Sequence, residues 1–107
     1  MVTIKKTGEG YYLATLAGNK TELGRNECHL IKRELSPIIK PHREITLDIK
    51  GVKSIDTGGY KILREFNTLV VSRRCRFRFI NIDPTLTHKI SGLNGRRVPE
   101  QSEFDLI

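Results

Sequence analysis

Cysteine is scarce in this sequence, and the placing of its two residues excludes more than their number does. Cys28 and Cys75 form no C-x-x-C pair, and they are too few to staple a small secreted scaffold. They read as reduced, buried thiols of a cytoplasmic protein. Long apolar runs are also missing, since nothing approaches the roughly 18 residues of a membrane span. The opening Met1-Val2-Thr3-Ile4-Lys5-Lys6 has neither the apolar stretch nor the small-residue cleavage site of a secretory leader. His29, His42 and His88 stand apart, so no metal site is expected. No Gly-x-Ser-x-Gly elbow, P-loop, cysteine–histidine couple or cleft-sharing carboxylate pair can be picked out. The expectation is a chain with no catalytic residue and no cofactor, and therefore not an enzyme.

What is present suits one globular domain covering 1–107. The chain has 107 residues, 37% hydrophobic and 29% charged, with no repeats, low-complexity segments or linkers. Lys plus Arg outnumber Asp plus Glu by 19 to 12, a net charge of +7. Such a charge attracts anionic partners over a distance but serves solubility equally well, so it names no partner by itself.

Apolar periodicity alternates between the two regular structures. Val2–Lys6 and Tyr11–Leu16, joined across Thr7-Gly8-Glu9-Gly10, predict an N-terminal β-hairpin. Thr21 is the expected N-cap of a first helix, with Leu23, Leu30, Ile31, Leu35 and Ile38 on one stripe through Ile39. Ile45-Thr46-Leu47-Asp48-Ile49 alternates, and Gly51–Asp56 reads as its continuation, one strand with an irregularity near Gly51. Gly59, Ile62, Leu63, Phe66, Leu69 and Val70 make the clearest helical stripe in the chain. A strand over Cys75–Ile82 and a short helix from Pro84 to Ser91, stopped by Gly92, follow. Residues 95–107 are left as an edge strand or a loose tail. The order β-β-α-β-α-β-α predicts an α/β fold with a mixed sheet, its helices mainly on one face. An exposed sheet edge leaves a homodimer open.

Two segments invite a functional reading. Arg73, Arg74, Arg76 and Arg78 surround Phe77 and Phe79, the residue types of a nucleic-acid surface. Strand alternation, however, puts the phenylalanines on the face opposite Arg76 and Arg78, so the arginines read as a solvated row. The second segment is Ser54-Ile55-Asp56-Thr57-Gly58-Gly59-Tyr60. There a strand ends in a carboxylate, a hydroxyl and two glycines immediately before the clearest helix. Asp56 or Thr57 can cap that helix, and the glycines allow close backbone approach. Thr57 would present a hydroxyl at the positive helix end, where a phosphate is electrostatically favoured yet changes any docking surface.

The run Ile45–Gly59, the helix after it, and Phe77-Arg78-Phe79-Ile80-Asn81-Ile82-Asp83-Pro84 resemble a STAS domain, and the Asp-hydroxyl-x-Gly turn and Ser91-Gly92-Leu93 fit the same pattern. The resemblance covers roughly residues 10 to 94 and implies a STAS-like domain that works by binding proteins. In the anti-sigma factor antagonist branch it implies Thr57 as phosphoacceptor, with Asp56, Gly58, Gly59 and Tyr60 forming the partner-binding turn. The partner there is an anti-sigma factor that is a serine-threonine kinase. That branch usually carries Ser followed by Ser or Ala, where this chain has Thr57-Gly58. Asp-Thr-Gly-Gly is also similar to the STAS subunit of bacterial phospholipid ABC transporters, which implies a permease and an ATPase as partners and an unmodified Thr57. Nucleic-acid binding through the arginine row stands third.

Overall fold

A computed structural model describes residues 2–18 and 20–93. Strands β1 (Val2–Gly8) and β2 (Tyr11–Leu16) form the predicted antiparallel hairpin, reversed at Gly10, whose φ of 81° suits a residue without a side chain. β2 then pairs in parallel with β4 (Glu44–Asp48), and β4 with β6 (Arg76–Ile80), giving a mixed sheet of order β1-β2-β4-β6. The register sets Ala14 beside Leu47 and Phe79, and Tyr12 beside Ile45 and Phe77. These residues point to one face, where Ala14, Ile45, Leu47, Phe77 and Phe79 join the buried core.

Helices α1 (Arg25–Leu35) and α2 (Thr57–Ser72) cover that face. α1 contributes Cys28, Ile31 and Leu35, and α2 contributes Ile62, Leu63, Phe66 and Val70, the spacing of an amphipathic stripe. Phe66 meets Phe77 edge to face, with ring centroids 5.0 Å apart at 88°. The short helix α3 (Thr87–Gly92) follows a 3₁₀ turn at Pro84–Leu86 and buries Leu86, Ile90 and Leu93. The buried Asn67 amide donates to the Leu93 carbonyl at 3.2 Å and ties the end of α3 to α2. The expected tail at 95–107 lies outside the described residues.

Two expectations need correcting. Thr21 does not cap α1; the N-cap is Gly24, whose backbone N–H is taken by the Glu27 carboxylate at 3.0 Å. The helix starts later because Glu22–Leu23 is instead a strand, β3, paired in parallel with β5 (Ser54–Ile55). Leu23 is fully buried in that small second sheet rather than on a helix stripe. The stretch read as one strand from Ile45 to Asp56 is two strands in separate sheets. Between them the chain turns at Lys50-Gly51, where Gly51 has φ 90°, the Val52 N–H reaches the Ile49 carbonyl and the Lys50 N–H reaches Asp48 Oδ1.

Candidate functional site

The two-residue sheet β3–β5 brings the starts of α1 and α2 together. The Asp56 N–H donates to the Leu23 carbonyl at 3.1 Å, so β5 delivers the chain to the head of α2 directly beside the entry to α1. Asp56 is the N-cap of α2: its Oδ1 accepts the Gly59 N–H at 2.6 Å, and its carbonyl accepts the Tyr60 N–H at 2.8 Å. A carboxylate there satisfies an otherwise orphaned donor and sits well at the positive helix end.

The residues that follow separate according to direction. Thr57, the first residue of α2, is exposed. Gly58 is half-buried against Arg25, and a methyl placed on it would lie 3.5 Å from the Arg25 Cβ, an ordinary contact. Gly59 is buried and faces inward. A methyl there would come within 2.9 Å of the Leu23 carbonyl oxygen and Cys28 Sγ, and within 3.0 Å of the Gly24 carbonyl oxygen. Only glycine lets α2 start so close to the backbone of α1. Tyr60 turns the other way, toward α3: Lys89 Nζ lies 6.0 Å from its ring centroid and donates to the Ile55 carbonyl at 3.2 Å. The five residues of the turn thus form no single flat patch. Thr57 and Gly58 look outward, Gly59 is a packing residue, and Tyr60 belongs to the junction with α3.

Cys28 sits beneath this turn. Burial, reinforced by the Asp56 and Glu27 carboxylates, pushes its thiol up to about 12. It is fully buried and packs as a small apolar side chain of the core. Burial also raises the Cys75 thiol above its ordinary value. Among the described residues no cluster of His, Cys, Asp or Glu is placed to hold a metal ion. No described helix is long and apolar enough to cross a membrane.

Several basic side chains near Thr57 escaped the sequence reading. Thr57, Tyr60, Lys61 and Arg64 line one hollow along α2, and Arg25, His29, Gly58 and Lys61 line a neighbouring groove between the two helices. Lys61 and Arg64 follow Thr57 at helical spacing, a signal available from the sequence. The approach of Arg25 was not, because it depends on how α1 packs against α2. The arginine row behaves differently: Glu44 accepts from Arg78 Nη1 at 3.4 Å and lies 3.6 Å from Arg76 Nη1, an ion-pair distance.

The sequence model of the STAS domain matches residues 22–98. The chain belongs to the STAS domain family. No curated protein matches it. Solved STAS structures share its fold. The anti-sigma factor antagonist SpoIIAA in its unphosphorylated form aligns with a TM-score of 0.65 at 14% identity, covering 98% of this chain and 96% of that one. The phosphorylated form of SpoIIAA, a Bacillus cell fate determinant, aligns at 0.62 and 17% identity over 98% and 97% of the two chains. The murine anion transporter solute carrier 26 family member A9, in its inward-facing state, aligns at 0.61 and 17% identity. That match covers 77% of this chain, which spans 13% of the transporter's length. At these identities the likeness is one of fold.

Proposed function

We propose that this STAS domain is a non-enzymatic partner-switching module of the anti-sigma factor antagonist kind, with Thr57 as the residue that a partner serine-threonine kinase phosphorylates. The observation that carries this reading is the exposed position of Thr57 as the first residue of α2, beside a capping carboxylate. The hydroxyl is open to a kinase, and a phosphate there would sit at the favourable end of the helix while adding about −1.5 to −2 charges to the surface. Asp56 fixes the helix start, so the modification alters charge at a held position rather than unfolding the turn. The alignment with SpoIIAA through nearly the whole of both chains supports the same reading.

A second reading is favoured by Gly58. A methyl would fit there, so packing does not demand glycine beside Thr57. Bare backbone at that point suits an unmodified contact with a larger assembly, such as the permease and ATPase of a phospholipid ABC transporter. Nucleic-acid binding through Arg76 and Arg78 has less support, because Glu44 lies within ion-pair distance of both and offsets one of their two charges.

Affinity capture from the native lysate, comparing wild type with Thr57→Glu, distinguishes these readings. The expected result is a kinase-type ATPase that also binds a sigma factor, held by wild type and lost with Thr57→Glu. Capture of a permease with an ABC ATPase would move the protein to lipid transport. Nucleic acid retained equally by both forms would overturn both readings.

A further inference from the structure

Several cations on α1 and α2 have no ion-pair partner among the described residues. Arg25 and Arg33 on α1, and Lys61 and Arg64 on α2, are exposed, and none joins an ion pair among the described residues. The acids of α1 are engaged elsewhere. Glu27 takes the Gly24 N–H and lies 3.9 Å from Lys20, while Glu34 takes the Val2 N–H at 3.1 Å. In the groove of about 300 Å³ between the helices, Glu65 is the one carboxylate among the described lining residues, against Arg25, His29 and Lys61. The close seating of α2 on α1 at Gly59 holds the two rows of charge at a fixed separation.

We infer that the α1–α2 face is a docking surface for an acidic segment of a partner protein, whose carboxylates pair with Arg25, Arg33, Lys61 and Arg64. Charge complementarity selects an acidic occupant, and the concave groove selects one with side chains that project. An anionic bilayer attracts the same cations, but a flat surface does not enter a concave groove as projecting side chains do. Among the described residues the exposed large apolar side chains are Ile4, Tyr11 and Val71, two of them on the hairpin and the third near the far end of α2. The surface adjoins Thr57, which stands four residues before Lys61, so a phosphate on Thr57 would supply an anion from within the chain and compete with the acidic partner for the same cations. Only that last step rests on the reading of Thr57 as a phosphoacceptor.

The test titrates the ¹⁵N-labelled full chain with a glutamate oligomer. Amide shifts are expected on α1 and α2 around Arg25, Lys61 and Arg64, with affinity falling at least about tenfold between roughly 50 and 300 mM salt. A K61Q/R64Q double variant, with an unchanged spectrum for the sheet, is expected to lose binding, and Arg73→Gln is expected to keep it. Shifts centred on β1 or on the α2–β6 turn, or full binding by the double variant, would overturn the proposal. So would capture of phosphatidylglycerol vesicles or single-stranded DNA by this face without capture of the oligomer. Failure of the Thr57 reading looks different: the oligomer binds as expected while no kinase is found.

Discussion

The two faces of this molecule carry similar residues and treat them in opposite ways. On the open face of the sheet, Glu44 is mostly covered, with 16% of its side chain exposed, and lies within ion-pair distance of both Arg76 and Arg78. Asp48 accepts from the Asn81 amide at 3.0 Å on the same side. On the helix face, Arg25, Lys61 and Arg64 face solvent around Thr57. Internal pairing offsets part of the charge on the first surface. On the second surface no described carboxylate forms an ion pair with these cations, and the proposed docking rests on that difference. Composition alone shows a net +7 and does not say where the usable part of it lies.

The comparison breaks first at Gly59, which seats one helix on the other. Gly59→Ala forces a methyl onto two backbone oxygens and is expected to cost about 1–3 kcal/mol in urea unfolding. The neighbouring Gly58→Ala has room and helix propensity in its favour, so it is expected to be neutral or stabilising by up to about 1 kcal/mol. Equal effects at the two glycines would contradict the close approach of α2 to α1. Asp56→Ala removes the cap and should lower stability by about 1 kcal/mol, seen as a lower urea midpoint at unchanged slope. On the sheet face, Glu44→Gln unpairs two arginines and should cost about 0.5–1 kcal/mol, an effect that shrinks in high salt. Arg64→Gln on the helix face should change stability by less than about 0.5 kcal/mol, since it breaks no described pair.

A paired charge at the loops sharpens the contrast by its pH dependence. Asp83 accepts from Lys53 Nζ at 2.7 Å and from the Thr85 hydroxyl and N–H, which together hold its carboxyl well below the usual carboxylate range. A carboxyl lowered in the folded state stabilises above its unfolded value, near pH 4, and that contribution is lost as the pH falls further toward the folded value. Asp83→Asn is therefore expected to flatten the acid limb of a stability-against-pH curve below about pH 4 and to leave its shape near neutrality unchanged. An unaltered acid limb would mean that the tie does not form in solution.

The elements legible in the sequence are those whose period is local. The hairpin, β4, α2 and β6 each carry enough alternation or helical spacing to be read alone, and the head of α2 follows from the capping preference of Asp56 or Thr57, of which the structure uses Asp56. The pair β3–β5 was not legible. Two-residue strands have no period, and their identity comes from partners 32 residues away, Glu22 with Ser54 and Leu23 with Ile55. That one omission placed the expected cap of α1 at Thr21 instead of Gly24 and fused two strands into one. It also concealed the basic groove, because Arg25 reaches Gly58 only through the small sheet that brings the helix starts together. Turn chemistry could be read from adjacent residues, whereas the surface around it required the tertiary pairing.

The exposed hydroxyl at the head of α2 is the proposed switch of this STAS domain. Phosphosite mapping by mass spectrometry on the protein isolated from its native cells, with Thr57→Ala produced in the same cells, tests it most directly. The account predicts a phosphate on Thr57 in wild type and an unphosphorylated Thr57→Ala that stays bound to its partner. A wild-type protein that is never modified at Thr57, or one whose phosphate persists in Thr57→Ala, would contradict it.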